Sequence, residues 1–325
     1  MQNIYKNELK NIIKHAKLYG FIYKSCDIYN GLKAIYDYGP YGIEMKNNIK
    51  TFWWDYMVKY RDNIVGIDTS ILMKEKVFKS SGHIKHFNEY FIKLKKNKNI
   101  YSIKNFINLI FKSINNKKIY NKILKLLYNN KIYKIIKFLK KLIIKKRKLK
   151  KFNFSTQKIN LMFKTKINTF KKKEYLYLRP ETAQGIYLNF KNILNTTNLK
   201  LPFGIAQIGK SFRNEIITKE FIFRIKEFEQ MEMQFFIYPG QEKKWYKYWI
   251  KNRFIWHKFL NLGIKNYKIK SHKKLSHYNT LATDIKFKFF NKYKELEGIH
   301  FRKDYDFKKH IKYTKKKIFY YDIFK

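Results

Sequence analysis

Acidic, basic and aromatic side chains occur together in one strand-like segment of the sequence, residues 209–236, GKSFRNEIITKEFIFRIKEFEQMEMQFF. Alternation with a period of two predicts a hairpin whose side chains point in turn to two faces. In the first arm one face would carry Ser211, Arg213 and Glu215. In the second arm one face would carry Arg224, Lys226, Phe228, Gln230 and Glu232, and the other Phe223, Ile225, Glu227, Glu229, Met231 and Met233.

These residue types suit a site that holds a cation and a polyanion side by side. Guanidinium groups bind phosphate oxygens in a fork geometry. A phenyl ring can stack on a purine, and a carboxylate can accept a hydrogen bond from an amine. A surface strand with cross-strand ion pairs would show the same alternation. The pattern alone leaves both interpretations open.

The composition is that of a basic globular protein. The 325 residues include 45% hydrophobic and 19% aromatic residues, and the formal net charge is +50. A field of this strength attracts polyanions, of which nucleic acid is the usual one. However, Lys, Asn, Ile, Tyr and Phe are abundant everywhere, as an A+T-rich genome would produce. The charge therefore favours RNA binding without establishing it.

Cysteine usage and the N-terminal residues limit the class of protein. Cys26 is the only cysteine, which excludes a disulfide framework and a four-cysteine zinc site. The start of the chain lacks the apolar run of a signal peptide and contains acidic residues that transit peptides avoid. Lysines interrupt every apolar stretch before it reaches the roughly 18 residues of a membrane span. We expect a soluble, intracellular protein.

Hydrophobic periodicity predicts an α+β fold. Helical spacing occurs at residues 5–18, after Pro40 towards Met57, and at 241–262, while strand-like alternation dominates 159–239 and returns in TDIKFKFF and KELEGIH. Because strands and helices do not alternate regularly, we expect an antiparallel sheet flanked by helices. Three regions are predicted: 1–91, the N-terminal part of a core; 92–157, an insertion; and 158–325, the rest of the core.

The predicted insertion is basic and mostly helical. Segments such as KKLIIKKRKLKK carry Lys or Arg at most positions, and 92–157 contains no Gly or Pro. These lysines are either a solvated helical surface or a surface that contacts the phosphates of an RNA.

Several sequence blocks resemble the class II aminoacyl-tRNA synthetases, and specifically the homodimer-type glycyl-tRNA synthetase family. The segment YGFIYKSCDIYNGLKAIYDYGPYGIEMKNNIK resembles the family's opening and motif 1, and LPFGIAQIGKSFRNEI with FIFRIKEFEQMEMQFF resembles motif 2. The blocks VGIDTSILMKEKVFKSSGHIKHF, INLMFKT, LRPETAQGIYLNF, LSHYNTLATDIKFKF and ELEGIHFRKDYDFKKH follow the family's order. The resemblance covers nearly the whole chain outside 92–157.

The resemblance implies a glycine–tRNA ligase with the class II antiparallel sheet. Glycine would attack the α-phosphate of ATP to give glycyl-adenylate, and a ribose hydroxyl of tRNA(Gly) would then attack that adenylate. Both steps depend on positioning and charge stabilisation more than on covalent help. The resemblance also implies a homodimer that forms through the motif 1 region near Pro40.

Matching positions imply a role for each site residue. Arg213 would hold the α-phosphate as the catalytic residue, Glu215 would bind the adenine amine, and Phe228 would stack on adenine. The implied ATP-binding set is Arg213, Asn214, Glu215, Phe223, Arg224, Ile225, Lys226, Glu227, Phe228, Glu295 and Leu296. The implied glycine-binding set is Glu181, Phe228, Glu229, Gln230, Met231 and Glu232. Glu295 would help to hold Mg²⁺ with ATP.

The chain departs from the family pattern in four places, one of which is IYSIK, residues 100–104, where Ser102 stands at the position of a substrate-contacting arginine and Lys104 is the candidate substitute. No glycine follows Gly298, and neither the Gly-rich motif 3 nor an anticodon-binding domain is present. We therefore expect an N-terminal fragment, the first half of a split enzyme or a truncated reading frame, with little activity alone. The paired cysteines of some relatives are absent from the insertion, so we expect no zinc. The loop ITKEF, residues 217–221, would face the tRNA acceptor end but lacks the usual Pro and Gly.

The sequence leaves two other functions open. A non-catalytic synthetase-like protein that binds nucleic acid or regulates a partner would explain the missing motif 3. A plain basic RNA-binding protein would explain the charge but not the acidic residues of the site. The expected partners are tRNA(Gly), glycine, ATP and a second copy of the chain, with a separate chain as one source of motif 3 and the anticodon domain. We expect a cytoplasmic location, with an organelle as the alternative.

Overall fold

The computed structural model describes residues 2–114, 116–128, 132–168, 173–216, 221–272, 280–290 and 292–320. The chain forms two compact units. The first consists of Met1–His83 with Met162–Lys325, and the second is Ile84–Leu161. In the described ranges, no helix combines the length and the apolar character that crossing a membrane requires.

The helices and strands follow one another along the chain. The helices are α1 (Gln2–Leu18), α2 (Pro40–Trp54), α3 (Glu75–Ser80), α4 (His83–His86), α5 (Ile103–Ile114), α6 (Lys117–Tyr128), α7 (Ile132–Lys145), α8 (Ala183–Thr197), α9 (Glu242–Phe259) and α10 (Tyr305–Thr314). The strands are β1 (Ile22–Lys24), β2 (Tyr36–Tyr38), β3 (Ile64–Gly66), β4 (Leu72–Lys74), β5 (Asn88–Leu94), β6 (Ile100–Ser102), β7 (Phe154–Asn160), β8 (Lys164–Asn168), β9 (Lys173–Leu178), β10 (Phe203–Phe212), β11 (Glu227–Phe236), β12 (Tyr267–Ser271), β13 (Leu281–Phe289) and β14 (Lys292–Phe301).

Two three-stranded sheets carry the candidate site in the first unit. One has the order β11–β10–β3, with β10 antiparallel to β11 and parallel to β3. The other has the antiparallel order β12–β13–β14. Among the described residues, β11 pairs only with β10 and β14 only with β13, so each of these two strands is an edge. The predicted α+β class with antiparallel sheets is confirmed.

Helix α2 begins at Pro40, as the sequence predicts. Proline suits the first helical position because its fixed φ fits the helix and its missing N–H would lack a partner there in any case. After Trp54 the helix continues as a π-helical turn, Asp55–Lys59.

Helices α2 and α9 cover the back of the β10–β11 hairpin. Trp53 and Met57, from α2 and the turn after it, form one buried cluster with Trp249 and Trp256 of α9. From β11, Met231 packs against this cluster. Burying each large apolar side chain contributes about 1.5–3 kcal/mol. The hairpin is therefore anchored from behind, which leaves its other face for the site.

The second unit has its own hydrophobic core. Strands β6, β5 and β7 form an antiparallel sheet in that order. Helices α5 to α7 contribute to the core, which includes Phe106, Ile135 and Leu139. Between residues 84 and 161 the sequence has 23 Lys and Arg residues but one acidic residue, Glu89. The predicted insertion 92–157 falls within this unit, which adds a sheet that the sequence did not predict.

Candidate active site

The β10–β11 hairpin is shorter than the sequence predicts. Strand β10 ends at Phe212 and β11 begins at Glu227, so six of the predicted strand residues lie in the connection instead: Arg213, Glu215, Phe223, Arg224, Ile225 and Lys226. Arg213 N still donates a hydrogen bond across the hairpin to Lys226 O at 2.8 Å. Glu215 N, however, donates to Arg213 O, two residues earlier in its own chain segment, at 2.7 Å. This tight turn ends the ladder, and the prediction that these residues alternate on strand faces was wrong. Residues 217–220 of the predicted tRNA-facing loop lie outside the described residues.

The guanidinium group of Arg213 lies beside the aromatic ring of Phe228. Its guanidinium carbon is 5.1 Å from the centre of the Phe228 ring, and its Nε donates to Pro180 O at 3.1 Å. Phe228 is paired in register with Ser211 on β10. The structure therefore brings together the cation and the ring that the sequence predicts for a nucleotide.

Glu215 is buried, with a relative exposure of 6%, and its Oε2 lies 2.8 Å from Arg224 Nε. Nearby, Ile225 is buried and Asn214 is half-buried. Phe223 is exposed and contacts Phe289 edge-to-face at 4.4 Å between ring centres. The connection thus holds a carboxylate and a cation close to the Arg213 segment.

The opposite face of β11 does not contribute to this cluster. Glu229 forms ion pairs with Lys46 and Lys50 of α2, each at 3.0 Å. Burial opposes the charge on Glu229, but the two lysines lower the pKa of its carboxyl below the usual value. Met231 packs in the core behind the hairpin. Although Glu229 and Met231 belong to the predicted glycine set, their side chains lie away from Glu232. Glu227, also on this face, pairs with Lys210.

A pair of carboxylates, Glu181 and Glu232, lies on the front of the hairpin. Glu181 precedes α8, and its Oε1 accepts hydrogen bonds from His83 Nε2 and Gln184 Nε2, each at 3.2 Å. Glu232 lies on β11 and accepts a hydrogen bond from the Thr182 hydroxyl at Oε2. Its other oxygen, Oε1, accepts from Gln234 Nε2 at 2.8 Å. Gln230 accepts from Ser211 Oγ at 2.9 Å on the same face.

The two carboxylates differ in their proton affinity. Burial works against a charge on Glu181, yet His83 and Arg302 hold the pKa of its carboxyl well below the usual range. The hydrogen bond from Gln184 lowers this pKa further. Burial and the charge of Glu181 raise the pKa of Glu232 above its usual value. Glu181 is therefore held ionised, while Glu232 stays protonated up to a higher pH than an ordinary glutamate.

Arg302 supplies the positive charge beside this pair. It binds Asp306 through Nε and Nη2, at 3.0 and 3.1 Å, and its guanidinium carbon lies 5.8 Å from the centre of the Tyr187 ring. Burial opposes the charge on Arg302, but Tyr187 and the acidic residues around it raise its pKa. The Tyr187 hydroxyl donates to Gln234 at 2.7 Å. Glu181, Glu232 and Asp306 thus belong to one polar network.

The buried side chain of Arg179 connects strand β10 to the segment around Thr69. It is 1% exposed, and it donates from Nε to Lys210 O at 2.8 Å and from Nη1 to Thr69 O at 2.6 Å. Gly209 lies directly against it, since a Cβ at that position would come within 2.2 Å of Arg179 Nη2. Only a residue without a side chain lets this guanidinium pass so close to β10.

Glu295 lies on the edge strand β14, in register with Lys286. Partial burial and the charge of Asp284 raise the pKa of its carboxyl, and Arg213 is among the cations that offset this effect. Asp284 is 2% exposed and lies 2.7 Å from His272 and 3.2 Å from Lys286. A carboxylate with a second acid nearby is the oxygen chemistry that Mg²⁺ accepts, usually with phosphates as further ligands. Leu296, the neighbour of Glu295, is exposed.

Sequence reasoning assigned no role to several residues of the network. These are His83, Thr182, Gln184, Asp306, His310 and Arg302. His83 belongs to the block SSGH, and Arg302 and Asp306 belong to the block HFRKDYD. Both blocks resemble the family in sequence, but no spacing in the sequence places them against Glu181.

The fold and a family comparison define the class of this protein. Residues 163–318 match the family described as tRNA synthetase class II core domain (G, H, P, S and T). Among solved structures, the chain resembles cytoplasmic serine–tRNA ligase of Naegleria fowleri in complex with AMP, with a TM-score of 0.50 and 13% identity. That likeness covers 85% of this chain and 48% of the other. The fold is that of a class II aminoacyl-tRNA synthetase core.

Curated relatives narrow the class to one family. A glycine–tRNA ligase of Treponema denticola is 40% identical over 326 residues, which cover 98% of this chain and 64% of the relative. Those of Ruminiclostridium cellulolyticum and Chlorobaculum tepidum are 41% and 40% identical, and the chain spans 67% and 69% of their lengths. The chain belongs to the glycine–tRNA ligase family. It spans about two thirds of the length of the relatives that it matches.

Proposed function

We propose that this chain carries the ATP- and glycine-binding part of a glycine–tRNA ligase. The observation that carries the proposal is that Phe228, which lies beside Arg213, and Glu232, which interacts electrostatically with Glu181, are both on strand β11. The first would hold a purine nucleotide and the second an ammonium group. The reaction joins these two ligands: a glycine carboxylate oxygen attacks the α-phosphate of ATP, and pyrophosphate leaves.

The nucleotide half of the site would act through charge and stacking. Adenine would lie on the Phe228 ring, and the Arg213 guanidinium would neutralise the charge that develops on the α-phosphate during attack. Glu215 would accept a hydrogen bond from the adenine amine, with Arg224 beside it for the phosphates. Because these groups are fixed before the ligand arrives, little reorganisation would be needed at the moment of reaction.

Selection of glycine would rely on the carboxylates. A substrate without a side chain offers no apolar group to bind, and one methylene in an ordinary pocket contributes only about 1–3 kcal/mol of discrimination. An ionised Glu181 would bind the ammonium, while Glu232 and the packed wall around it would leave no room for a larger amino acid. The side chain of Glu181 keeps 20% of its surface exposed, which a ligand-binding carboxylate requires.

Mg²⁺ would accompany ATP as part of the substrate. Glu295 would hold it through a carboxylate oxygen, and its raised pKa would return towards the usual value beside a divalent cation. The ion would help to neutralise the phosphates. No cluster of three or more His, Cys, Asp and Glu side chains suited to a metal occurs in the described part of the chain. The phosphates would therefore complete the coordination.

The remaining partners are tRNA(Gly) and a second copy of the chain. Tyr41, Met45 and Ile49 recur every four residues on α2 and are 64%, 53% and 37% exposed, which forms an apolar stripe. We propose that this stripe contributes to a homodimer interface. A further polypeptide, in the same chain or a separate one, would supply motif 3 and the anticodon-binding domain. The cytoplasm is the proposed location.

The experiment uses a chimera in which residues 1–325 replace the matching part of the Treponema denticola relative. Glycine-dependent exchange of pyrophosphate into ATP is expected, and Arg213→Ala should reduce it by at least 100-fold, the loss typical of removing one charge-stabilising group. Lys243→Ala, an equal loss of charge at an exposed position of α9, is the matched control and should leave exchange unchanged. A folded chimera with no glycine-dependent exchange, or with exchange that survives Arg213→Ala, would contradict the proposal.

The polypeptide of residues 1–325 alone is expected to support little or no exchange, because it lacks a recognisable motif 3. Robust glycine-dependent exchange by this polypeptide would show that the described hairpin and network suffice.

A further inference from the structure

The end of α3 places two serines against two histidines behind Glu181. Ser80 and Ser81 are 8% and 7% exposed. Ser80 Oγ lies 3.1 Å from His310 Nδ1, and Ser81 Oγ lies 2.8 Å from His83 Nδ1. The two imidazoles approach Glu181 by different routes, one directly and the other through Gln184. None of these groups belongs to the nucleotide half of the site.

The direct route consists of one imidazole. His83 Nε2 lies 3.2 Å from Glu181 Oε1, and the ring packs edge-to-face on the buried Phe78, with 5.8 Å between ring centres. Because a carboxylate oxygen can only accept, His83 must donate from Nε2. Ser81 then binds the other ring nitrogen and fixes the plane of the ring.

The second route passes through an amide. Gln184 Nε2 lies 3.2 Å from Glu181 Oε1 and 3.0 Å from Asp306 Oδ1, so it donates to both carboxylates. Its Oε1 must then accept, and His310 Nε2, at 2.9 Å, is the donor. His310 Nδ1 is therefore the acceptor from the Ser80 hydroxyl, provided that the ring is neutral. Burial lowers the pKa of His310, which agrees with a neutral ring.

Both routes end on the same oxygen. Within the described residues, every hydrogen bond to Glu181 reaches Oε1, and Oε2 receives none. By contrast, Glu232 uses both oxygens, with Thr182 on one and Gln234 on the other. Glu181 is therefore the carboxylate with an oxygen left for a ligand.

We propose that His83 is a positioning residue for amino-acid binding. It holds Glu181 by Oε1, together with the Ser80–His310–Gln184 chain, so that Oε2 is presented to the ammonium group. This inference rests on the proposed function for the identity of the ligand, but the placement of Glu181 can be tested without it. The charged and titratable groups around Glu181 are His83, Arg302, Asp306, Glu232 and Tyr187.

The kinetic test compares three chimeras that differ at position 83. His83→Phe keeps a ring of similar shape but cannot donate, whereas His83→Gln restores an N–H donor. A hydrogen bond to a charged group corresponds to roughly a 10- to 100-fold effect, so His83→Phe should raise the KM for glycine by about that factor. The kcat and the KM for ATP should change little, and His83→Gln should recover most of the loss. His86→Phe, at an exposed position in the same segment, is the matched control.

The second readout needs no activity. In the polypeptide of residues 1–325 with ¹³C-labelled glutamate carboxyls, the signal of Glu181 is identified by its loss in Glu181→Gln. Its titration midpoint should move upward in His83→Phe and return towards that of the unsubstituted chain in His83→Gln. An unshifted midpoint in folded His83→Phe overturns the placement of Glu181 by His83.

The two readouts separate the inference from the function on which it rests. An unsubstituted chimera without glycine-dependent exchange refutes the proposed function, while the titration still decides the role of His83. Exchange with an unchanged KM for glycine in His83→Phe refutes the positioning role alone.

Discussion

Replacing Glu232 by Gln is expected to stabilise the fold while impairing the site. Glu232 has a raised pKa because of burial and the nearby charge of Glu181. In the folded state its ionised form is therefore disfavoured, and this cost grows as the pH rises from the ordinary value of 4.5 through the raised value. A glutamine carries no charge, so it avoids the cost at every pH.

The hydrogen bonds of Glu232 survive this substitution. The amide oxygen of the new side chain would accept from Gln234, as Oε1 now does, and its NH₂ would donate to the Thr182 hydroxyl, which can also accept. The free energy of unfolding should then increase by about 1.4 kcal/mol for each unit by which the folded-state pKa of Glu232 exceeds its ordinary value. For a compact unit as large as the first one, a change of 1 kcal/mol in the free energy of unfolding shifts the Tm by roughly 2–4 °C. Each pKa unit thus corresponds to roughly 3–6 °C.

Thermal unfolding followed by circular dichroism between pH 4.5 and 8 measures this effect. The Tm difference between Glu232→Gln and the unsubstituted chain should be near zero at the acid end and should grow as the pH rises. In the chimera, the same variant should raise the KM for glycine. A Tm that falls at every pH, or a difference that does not change with pH, would refute the reasoning about the carboxylate pair.

Glu229→Gln provides the control of opposite sign. Two lysines lower the pKa of Glu229, so its contribution to stability is present above the ordinary value and is lost as the pH falls through the lowered value. This variant should therefore lower the Tm at neutral pH, by the amount expected for about 1 kcal/mol or less because the pair is partly exposed. The penalty should shrink in acid.

Three further substitutions test the packing. Gly209→Ala should destabilise the first unit by about 1–3 kcal/mol in urea unfolding, because the new methyl would displace Arg179 from its two carbonyl partners. Ile135→Ala, at a position with 0% exposure in the second unit, should cost about 2–5 kcal/mol in the unfolding of that unit, measured by protease susceptibility. Arg253→Leu should cost about 1.5–3 kcal/mol in thermal unfolding, because it removes the charged hydrogen bond of 2.6 Å to Glu297, a half-buried carboxylate that keeps His257 at 2.9 Å.

The sequence predicted the elements of the fold better than the details of the site. Helix α2, the hairpin and helix α9 follow from Pro40, the alternation in 209–236 and the helical spacing in 241–262. The hairpin face with Phe228, Gln230 and Glu232 also follows, because strand alternation is a local property. The alternation continues past Phe212 in the sequence but not in the structure, because the turn at Arg213–Glu215 ends the ladder.

The acidic pocket shows why the rest escaped prediction. Glu181 and Glu232 are visible as acids of a known motif, but the groups that set their ionisation come from distant segments. His83 is the last residue of the N-terminal segment of the first unit, and Arg302 directly follows β14. Their contacts depend on how α3, α8 and α10 pack, and no local pattern encodes that packing.

The central strand β10 and the edge strand β11 differ in how readily their backbone opens. At Gly204–Ala206, strand β10 bonds to β3 on one side and β11 on the other, so the amide hydrogens of these residues should exchange slowly with solvent. Strand β11 has a ladder on one side only, so outward-facing amides on it should exchange much faster. Phe228 and Glu232 both lie on β11, in register with Ser211 and Gln207 of β10. The ring proposed to stack on adenine and the acid proposed for the ammonium group are thus carried by a strand whose outer edge bonds to no other strand of the described residues.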